Sequence, residues 1–178
     1  MSRLLPISLI FLLLPLGAYA QGGNVFLGYS YLNADAVSRS NLNGWNGSLE
    51  GKILPFVGIV ADLSGHYGKE DLGFTCPVVG SSCTTPNARQ YNFLFGPRVS
   101  VGVGKFTPFA HFLVGGSHIS FDNGFGSDTS FSEAVGGGID FKPVPLIGWR
   151  VQGDFLQTRF FSGTQNNFRL STGIVLHF

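Results

Sequence analysis

The chain has 178 residues, enough for one domain, and charged residues make up 12% of them, about half the share usual in soluble globular proteins. Mean hydropathy is +0.24, and beyond the N-terminus no apolar run approaches the ~18 residues of a transmembrane helix. A formal net charge of +1 argues against a nucleic-acid-binding surface, which would be basic. The composition therefore fits neither a soluble globule nor a helical membrane protein. It suits a β-barrel with apolar residues at alternate positions.

The N-terminus predicts a signal peptide over residues 1–20. Arg3 supplies the positive end, residues 4–16 are almost wholly apolar, and Ala18-Tyr19-Ala20 fits the small-x-small rule for cleavage. The alternative is an uncleaved membrane anchor. No Cys follows the apolar stretch, which argues against a lipoprotein anchor. We expect cleavage near Ala20 and a mature domain over residues 21–178.

Eight segments of the mature chain show the period-two alternation that is typical of half-buried strands. They lie near residues 24–33, 44–52, 56–67, 89–102, 107–119, 129–141, 148–160 and 168–178. In the last segment Phe168, Ile174 and Phe178 share one face, while Arg169 and Ser171 share the other. Successive strand residues point to opposite sides, so one face is apolar and the other small or polar.

The polar face of these segments carries few charges, and they are of both signs. The residues are Glu50, Asp62, Arg98, Asp140, Arg150, Asp154 and Arg169. They are too few to solvate an exterior but suit a closed interior of paired charges. Two alternatives are a soluble β-sandwich and a lipocalin-type barrel with a polar outside. The pattern favours an all-β fold: an eight-stranded antiparallel up-and-down transmembrane β-barrel.

Two residues disturb the alternation. Glu133 would face lipid, and Pro97 lies inside a strand. A β-bulge or a place near the membrane rim would accommodate either of them.

The connections alternate in length. Those near 34–43, 67–88, 120–128 and 160–166 are longer and polar, and those near 52–55, 102–106 and 142–147 are short. Because outer-membrane barrels have short periplasmic turns and longer outer loops, both termini of the mature chain should lie in the periplasm. Aromatic residues fall at both ends of the predicted strands, as in the girdles of such barrels. They are Trp149, Phe56 and Phe178 at the inner ends and Trp45, Tyr31, Tyr91 and Phe160 at the outer ends.

Cys76 and Cys83 lie close together in the second long connection. In an exported protein this spacing predicts a disulfide that closes a small outer loop, with two free thiols as the alternative. Without nearby histidines the pair does not predict a zinc site.

The last third of the chain resembles the OmpA/OmpX-like family of small outer-membrane β-barrels. The resemblance rests on Gly136-Gly137-Gly138-Ile139-Asp140, on the segment from Arg150 to Phe160, and on Gln165-Asn166-Asn167-Phe168-Arg169-Leu170-Ser171-Thr172-Gly173. It implies that the alternating final strand is the signal for the barrel-assembly machinery. The positions that match this signal are Leu170, Thr172, Ile174, Leu176 and Phe178. Since the chain ends at Phe178, we expect no soluble peptidoglycan-binding domain.

Candidates for chemistry are few, and no cofactor is predicted. The four histidines His66, His111, His118 and His177 are scattered, and an ordinary place in the barrel interior is favoured for each over a metal site. Some outer-membrane barrels are lipid-modifying enzymes that use a His with a Ser. His66 and His118, near the outer strand ends, would be the candidates for such an enzyme.

The sequence thus favours a non-enzymatic outer-membrane barrel with a structural or surface-interaction role, a closed polar interior and exposed outer loops. Its expected partners are outer-membrane lipid, the assembly machinery and a surface partner that the sequence does not identify. The alternatives are a narrow channel or carrier for small molecules and a lipid-modifying enzyme.

Overall fold

The computed structural model describes residues 22–35, 39–69, 87–122, 127–160 and 163–178. These residues form eight β-strands. The strands are β1 Gly23–Asp35, β2 Arg39–Leu54, β3 Val57–Lys69, β4 Asn87–Ser100, β5 Phe106–Phe121, β6 Ser127–Phe141, β7 Ile147–Thr158 and β8 Gln165–His177. Within the described ranges, no helix has both the length and the apolar character that crossing a membrane requires.

The eight strands form one closed antiparallel barrel in which each strand pairs with its neighbours in sequence and β1 pairs with β8. The predicted fold class, an eight-stranded up-and-down barrel, is confirmed. At the seam between the first and last strands Gly28 lies opposite Gly173. A Cβ on Gly173 would lie 2.3 Å from the Cα of Gly28, so this seam needs glycine for the backbones to approach so closely.

The predicted alternation of long and short connections holds only in part. The connection predicted near 120–128 comprises residues 122–126 and is no longer than the turn at residues 101–105. The first predicted connection, over residues 34–43, was wrong. β1 continues to Asp35 and β2 starts at Arg39, so only residues 36–38 lie between the two strands. The polar residues that suggested a loop form cross-strand pairs instead. The Tyr31 hydroxyl donates a hydrogen bond to Asn41 Oδ1 over 2.6 Å, and the Asn33 amide donates to the same oxygen over 2.9 Å. Such pairs stabilise a ladder beyond its apolar part.

The two faces of the wall differ sharply in polarity. Outward-facing side chains such as Leu27, Phe95 and Phe155 are 60–70% exposed, while inward-facing side chains such as Asp62 and Arg169 are fully buried. Each strand therefore presents mainly apolar residues to the outside, and the buried charged residues of the wall all point inside. This alternation follows from the two-residue period of the strand.

The two irregular positions are accommodated without a bulge. The β4–β5 register is the same on both sides of Pro97, although the ladder is interrupted there between Phe95 and Arg98. Since proline has no N–H, it cannot donate to the ladder. Glu133 faces outward, half-buried, opposite Gln157 near the end of β7. The irregularity that the strands do show is a register shift between Lys52 and Leu54 in β2.

Candidate functional site

The barrel interior holds all seven of the charged residues that the sequence singled out. Each side chain is 0–2% exposed, and they come from β2, β3, β4, β6, β7 and β8. They fill the interior from the end where the short turns lie to about its middle. We call that end the short-turn end and the opposite one, which carries the long β3–β4 connection, the long-loop end.

At the short-turn end, two ion pairs lie inside the barrel, one between β2 and β4 and one between the adjacent strands β6 and β7. Arg98 donates a hydrogen bond to Glu50 Oε2 over 3.1 Å, and the Lys52 ammonium lies 3.1 Å from the other oxygen of the same carboxylate. Arg150 donates from Nε and Nη2 to the two oxygens of Asp140, over 2.6 and 2.8 Å. Such a bidentate pair fixes the orientation of the guanidinium.

In the middle of the barrel Arg169 joins two carboxylates. Its Nη1 donates to Asp62 Oδ1 over 2.7 Å, and its Nε donates to Asp154 Oδ2 over 2.9 Å. The other oxygen of Asp154 lies 2.7 Å from His111 Nε2, and the opposite ring nitrogen of His111 lies 3.1 Å from Arg98 Nη2. His111 therefore links the middle cluster to the ion pairs at the short-turn end.

Two phenylalanines inside the barrel support the arginines, and the sequence analysis gave neither of them a role. The Phe109 ring contacts two guanidiniums: its centroid lies 4.3 Å from that of Arg98 and 4.8 Å from that of Arg150. Phe26 lies 5.2 Å from the Arg150 guanidinium. The attraction between a cation and an aromatic ring is stronger when both are buried than when they are exposed to water. The strand alternation places both rings inward, and that signal could have identified them.

Beyond the charged region, a neutral hydrogen-bonded layer crosses the interior. Ser30 Oγ lies 2.9 Å from both His66 Nε2 and Ser171 Oγ. On β4, β5 and β6, the Ser132 hydroxyl donates a hydrogen bond to Ser117 Oγ, and the Ser117 hydroxyl donates one to Asn92 Oδ1, each over 2.6 Å. Paired with each other, these hydroxyls and amides are buried without the cost of unsatisfied polar groups.

The expectation of a polar interior holds only in part toward the long loops. Buried polar side chains such as His66, Gln90 and Ser117 lie there beside an apolar cluster. The members are Leu32, Leu42, Val60, Ala88, Leu94, Leu113, Ile119, Phe121, Ala134, Leu156 and Phe160, each 0–9% exposed. Phe160 was predicted to lie in the outer aromatic girdle, but it is 1% exposed within this cluster. It follows the end of β7, where strand alternation no longer sets its direction.

The histidines proposed for a lipid-modifying enzyme do not meet. His66 is buried inside the barrel on β3, whereas His118 faces outward on β5 and its Nδ1 lies 2.7 Å from the Thr129 hydroxyl. An interior position for His118 was thus wrong. Of the other two, His111 lies in the charged cluster and His177 lies half-buried at the short-turn end. Within the described ranges, no group of three His, Cys, Asp or Glu could hold a metal ion.

The remaining predicted site residues lie in the last strand and in an undescribed connection. Leu170, Ile174, Leu176 and Phe178 are 44–63% exposed on the outer wall of the barrel. Thr172 shares their face, and its hydroxyl donates to the backbone oxygen of Arg150 over 3.1 Å. Cys76 and Cys83 lie outside the described residues, so their disulfide stays a prediction.

Solved structures with similar folds are small outer-membrane barrels. Neisserial surface protein A aligns with a TM-score of 0.68 and 10% identity over 86% of this chain and 96% of its own. OprG from Pseudomonas aeruginosa aligns with a TM-score of 0.59 and 11% identity over 91% of this chain and 98% of its own. Ail, the attachment invasion locus protein of Yersinia pestis, aligns with a TM-score of 0.57 and 16% identity over 89% of this chain and 99% of its own.

The sequence matches no protein-family model and no curated protein. At identities of 10–16% the structural likeness establishes the fold alone. The chain therefore has the fold of the small eight-stranded outer-membrane β-barrels, in agreement with the resemblance found in its sequence.

Proposed function

We propose that this protein is an integral outer-membrane barrel with a non-enzymatic structural or surface-interaction role. The carrying observation is the inverted polarity of the wall. Among the described residues 33 large hydrophobic side chains are exposed, against 14 hydrophobic residues that are buried. In water this surface would drive aggregation, whereas in a bilayer it is solvated by the lipid hydrocarbon chains.

The ends of the outer wall carry the aromatic residues that favour membrane interfaces. Trp149 and Phe56 are exposed at the short-turn end. Trp45, Tyr67 and Tyr91 cluster toward the long-loop end, where the two tyrosine rings are 5.9 Å apart in an edge-to-face arrangement. Rings of this kind anchor a barrel at both interfaces. They support a position with the apolar band in the hydrocarbon core.

The proposed orientation places the short-turn end in the periplasm. The connection between β3 and β4 spans residues 70–86, whereas the β2–β3 turn is residues 55–56. Because outer-membrane barrels carry their longer loops outside the cell, the β3–β4 connection is the main candidate for contact with a surface partner. The outward-facing pattern of β8 supports an interaction with the assembly machinery during biogenesis.

The filled interior supports a closed barrel over a channel or carrier. Side chains at mid-height, including Asp62, Val60, Leu113, Asp154 and Arg169, have no accessible surface. A side chain that lined a continuous water path would be accessible to water. An eight-stranded barrel is about filled by its own side chains, so this packing is the ordinary outcome.

Fractionation combined with gel mobility tests the proposal. We expect the protein in the outer-membrane fraction, with different mobility before and after boiling. An epitope inserted in the β3–β4 connection should be detected on intact cells, while the same epitope after Phe178 should require permeabilisation. Recovery in the soluble periplasmic fraction, or labelling of the C-terminal epitope on intact cells, would contradict the location or the orientation.

Two measurements test the non-enzymatic closed barrel. Lipid A from cells with and without the protein should have the same mass spectrum. A new acylated or deacylated product would contradict the proposed non-enzymatic role. In planar bilayers the protein should give no large, steady conductance, and stable openings would overturn the closed barrel.

A further inference from the structure

A cavity of about 160 Å³ lies inside the short-turn end of the barrel. Its lining includes Lys52, Arg98, Thr107, Asp140, Lys142 and His177. The space is large enough for several water molecules, and therefore for an ion of the size of phosphate. Because the lining consists mainly of inward-facing side chains and turn residues, the cavity lies along the barrel axis and away from the lipid-facing wall.

Several buried polar atoms of this lining have no hydrogen-bond partner among the described residues. They are Arg98 Nε, Thr107 Oγ1 and His177 Nε2, the last of which lies 3.9 Å from Asp140 Oδ2, beyond hydrogen-bond distance. Among the described residues, the other atoms of this kind are His66 Nδ1 and Gln152 Oε1, which lie away from the cavity, and Glu50 Oε1 and Arg169 Nη2, which lie within ion pairs. Unpaired buried polar groups are uncommon in proteins, so their concentration around one cavity calls for a partner.

All three of these groups can donate a hydrogen bond. Arg98 Nε always carries a hydrogen, the Thr107 hydroxyl carries one, and His177 Nε2 carries one in either the charged form or one neutral tautomer. A partner that accepts hydrogen bonds would satisfy all of them together.

The charge of the lining is positive. Lys52, Arg98, Lys142 and Arg150 face two carboxylates, Glu50 and Asp140. Both carboxylates are already paired with arginines, Glu50 with Arg98 and Asp140 with Arg150. The Lys142 ammonium has no ion-pair partner among the described residues, so the lining keeps one uncompensated cation.

We propose that this cavity binds one small oxyanion, a phosphate or a carboxylate group, that enters from the short-turn end. The anion is held by the Lys142 ammonium and accepts hydrogen bonds from the Thr107 hydroxyl and the His177 ring. Oxyanions offer several acceptor oxygens to such donors. Binding itself is independent of the proposed function, which decides only that the site faces the periplasm.

Titration of the refolded protein with inorganic phosphate tests the site. In micelles of an uncharged detergent at constant ionic strength, NMR signals of Thr107, Lys142 and His177 should shift and saturate, and acetate should compete. Lys142→Gln should weaken phosphate binding about fivefold, the upper range for one partly exposed charge. Thr107→Val should weaken it by a smaller factor.

Lys105→Gln is the matched control, since Lys105 lies in the neighbouring turn, where its backbone oxygen accepts a hydrogen bond from the Lys142 amide over 2.7 Å. This variant removes the same charge outside the cavity lining and should change the affinity less than twofold, an effect of the general field alone. A cavity that holds only water predicts no saturation, and that result would overturn the proposal. An equal loss in the Lys105 and Lys142 variants would also overturn it. Unboiled gel mobility verifies that each variant is folded, independently of its location in cells.

Discussion

The two halves of the barrel interior exclude water by different means. In the half toward the short turns, arginines and carboxylates pair inside the barrel beside the ring of Phe109. In the half toward the long loops, a leucine-rich cluster fills the space, with a layer of hydroxyls and amides beside it. The charged half depends on each partner being present, because an unpaired buried charge is very costly. The apolar half depends mainly on volume.

The largest expected effect comes from removing the cation that two buried carboxylates share. Arg169→Met leaves Asp62 and Asp154 without their main partner and should lower the free energy of unfolding by about 3–5 kcal/mol. Urea unfolding in lipid vesicles, followed by tryptophan fluorescence, measures the loss. Adding Asp62→Asn and Asp154→Asn to the same chain should recover much of it. A triple variant no more stable than the single one would show that the pairing of charges is not what matters here.

The next effect separates packing inside the barrel from contact with lipid. Leu113→Ala should cost about 3–5 kcal/mol, because it loses a buried side chain and leaves a cavity. Leu170→Ala, on the outer wall, should cost about 2 kcal/mol, because lipid fills the vacated space and only the transfer energy is lost. The same unfolding assay compares the two. Equal losses would mean that the apolar half is loosely packed.

A smaller effect tests the aromatic support of the arginines. Phe109→Leu removes a ring that contacts two guanidiniums and should lower stability by about 1–2 kcal/mol beyond the loss of volume. Phe160→Leu makes the same change in volume within the apolar half, where no cation of the described residues lies over the ring. The excess loss at Phe109 is the quantity to measure in urea. If both variants lose the same amount, the cation–π contacts contribute nothing.

The smallest expected effect is an absence of conductance. Replacing both Glu50 and Arg98 with alanine widens the charged half, yet the apolar cluster still lies in series with it along the barrel axis. Planar-bilayer recordings of the variant should therefore stay closed, provided that unboiled gel mobility shows a folded barrel. Steady openings in this variant would show that the charged half alone closes the interior.

Much of the fold was predictable from sequence because strand alternation is local. The faces of Phe95, Arg98 and Val99 follow from a period of two, whatever the rest of the chain does. The partners within the interior are not local. The Arg98–His111–Asp154 chain joins three different strands across the lumen, and its register depends on every ladder between them.

The length of the first two strands and the apolar cluster inside the barrel were not predicted, although residue polarity contained part of the information. The polar residues around 34–43 predicted a loop, but Asn41 and Tyr31 bond across the strands and extend them. Leu32, Leu94 and Leu113 fall at inward positions, so the alternation already contained the apolar cluster. Thr107 and Lys142, which line the proposed anion site, carry no sequence pattern that would bring them together.

The pairing of the first strand with the last has a consequence for how the protein must be made. A barrel with fewer than all eight strands cannot close, because it leaves two unpaired edge strands, and such edges promote aggregation. During synthesis β1 is therefore without its second neighbour until β8 has been translated. A truncation that removes β8 should therefore be more harmful than an insertion in the long connection between β3 and β4.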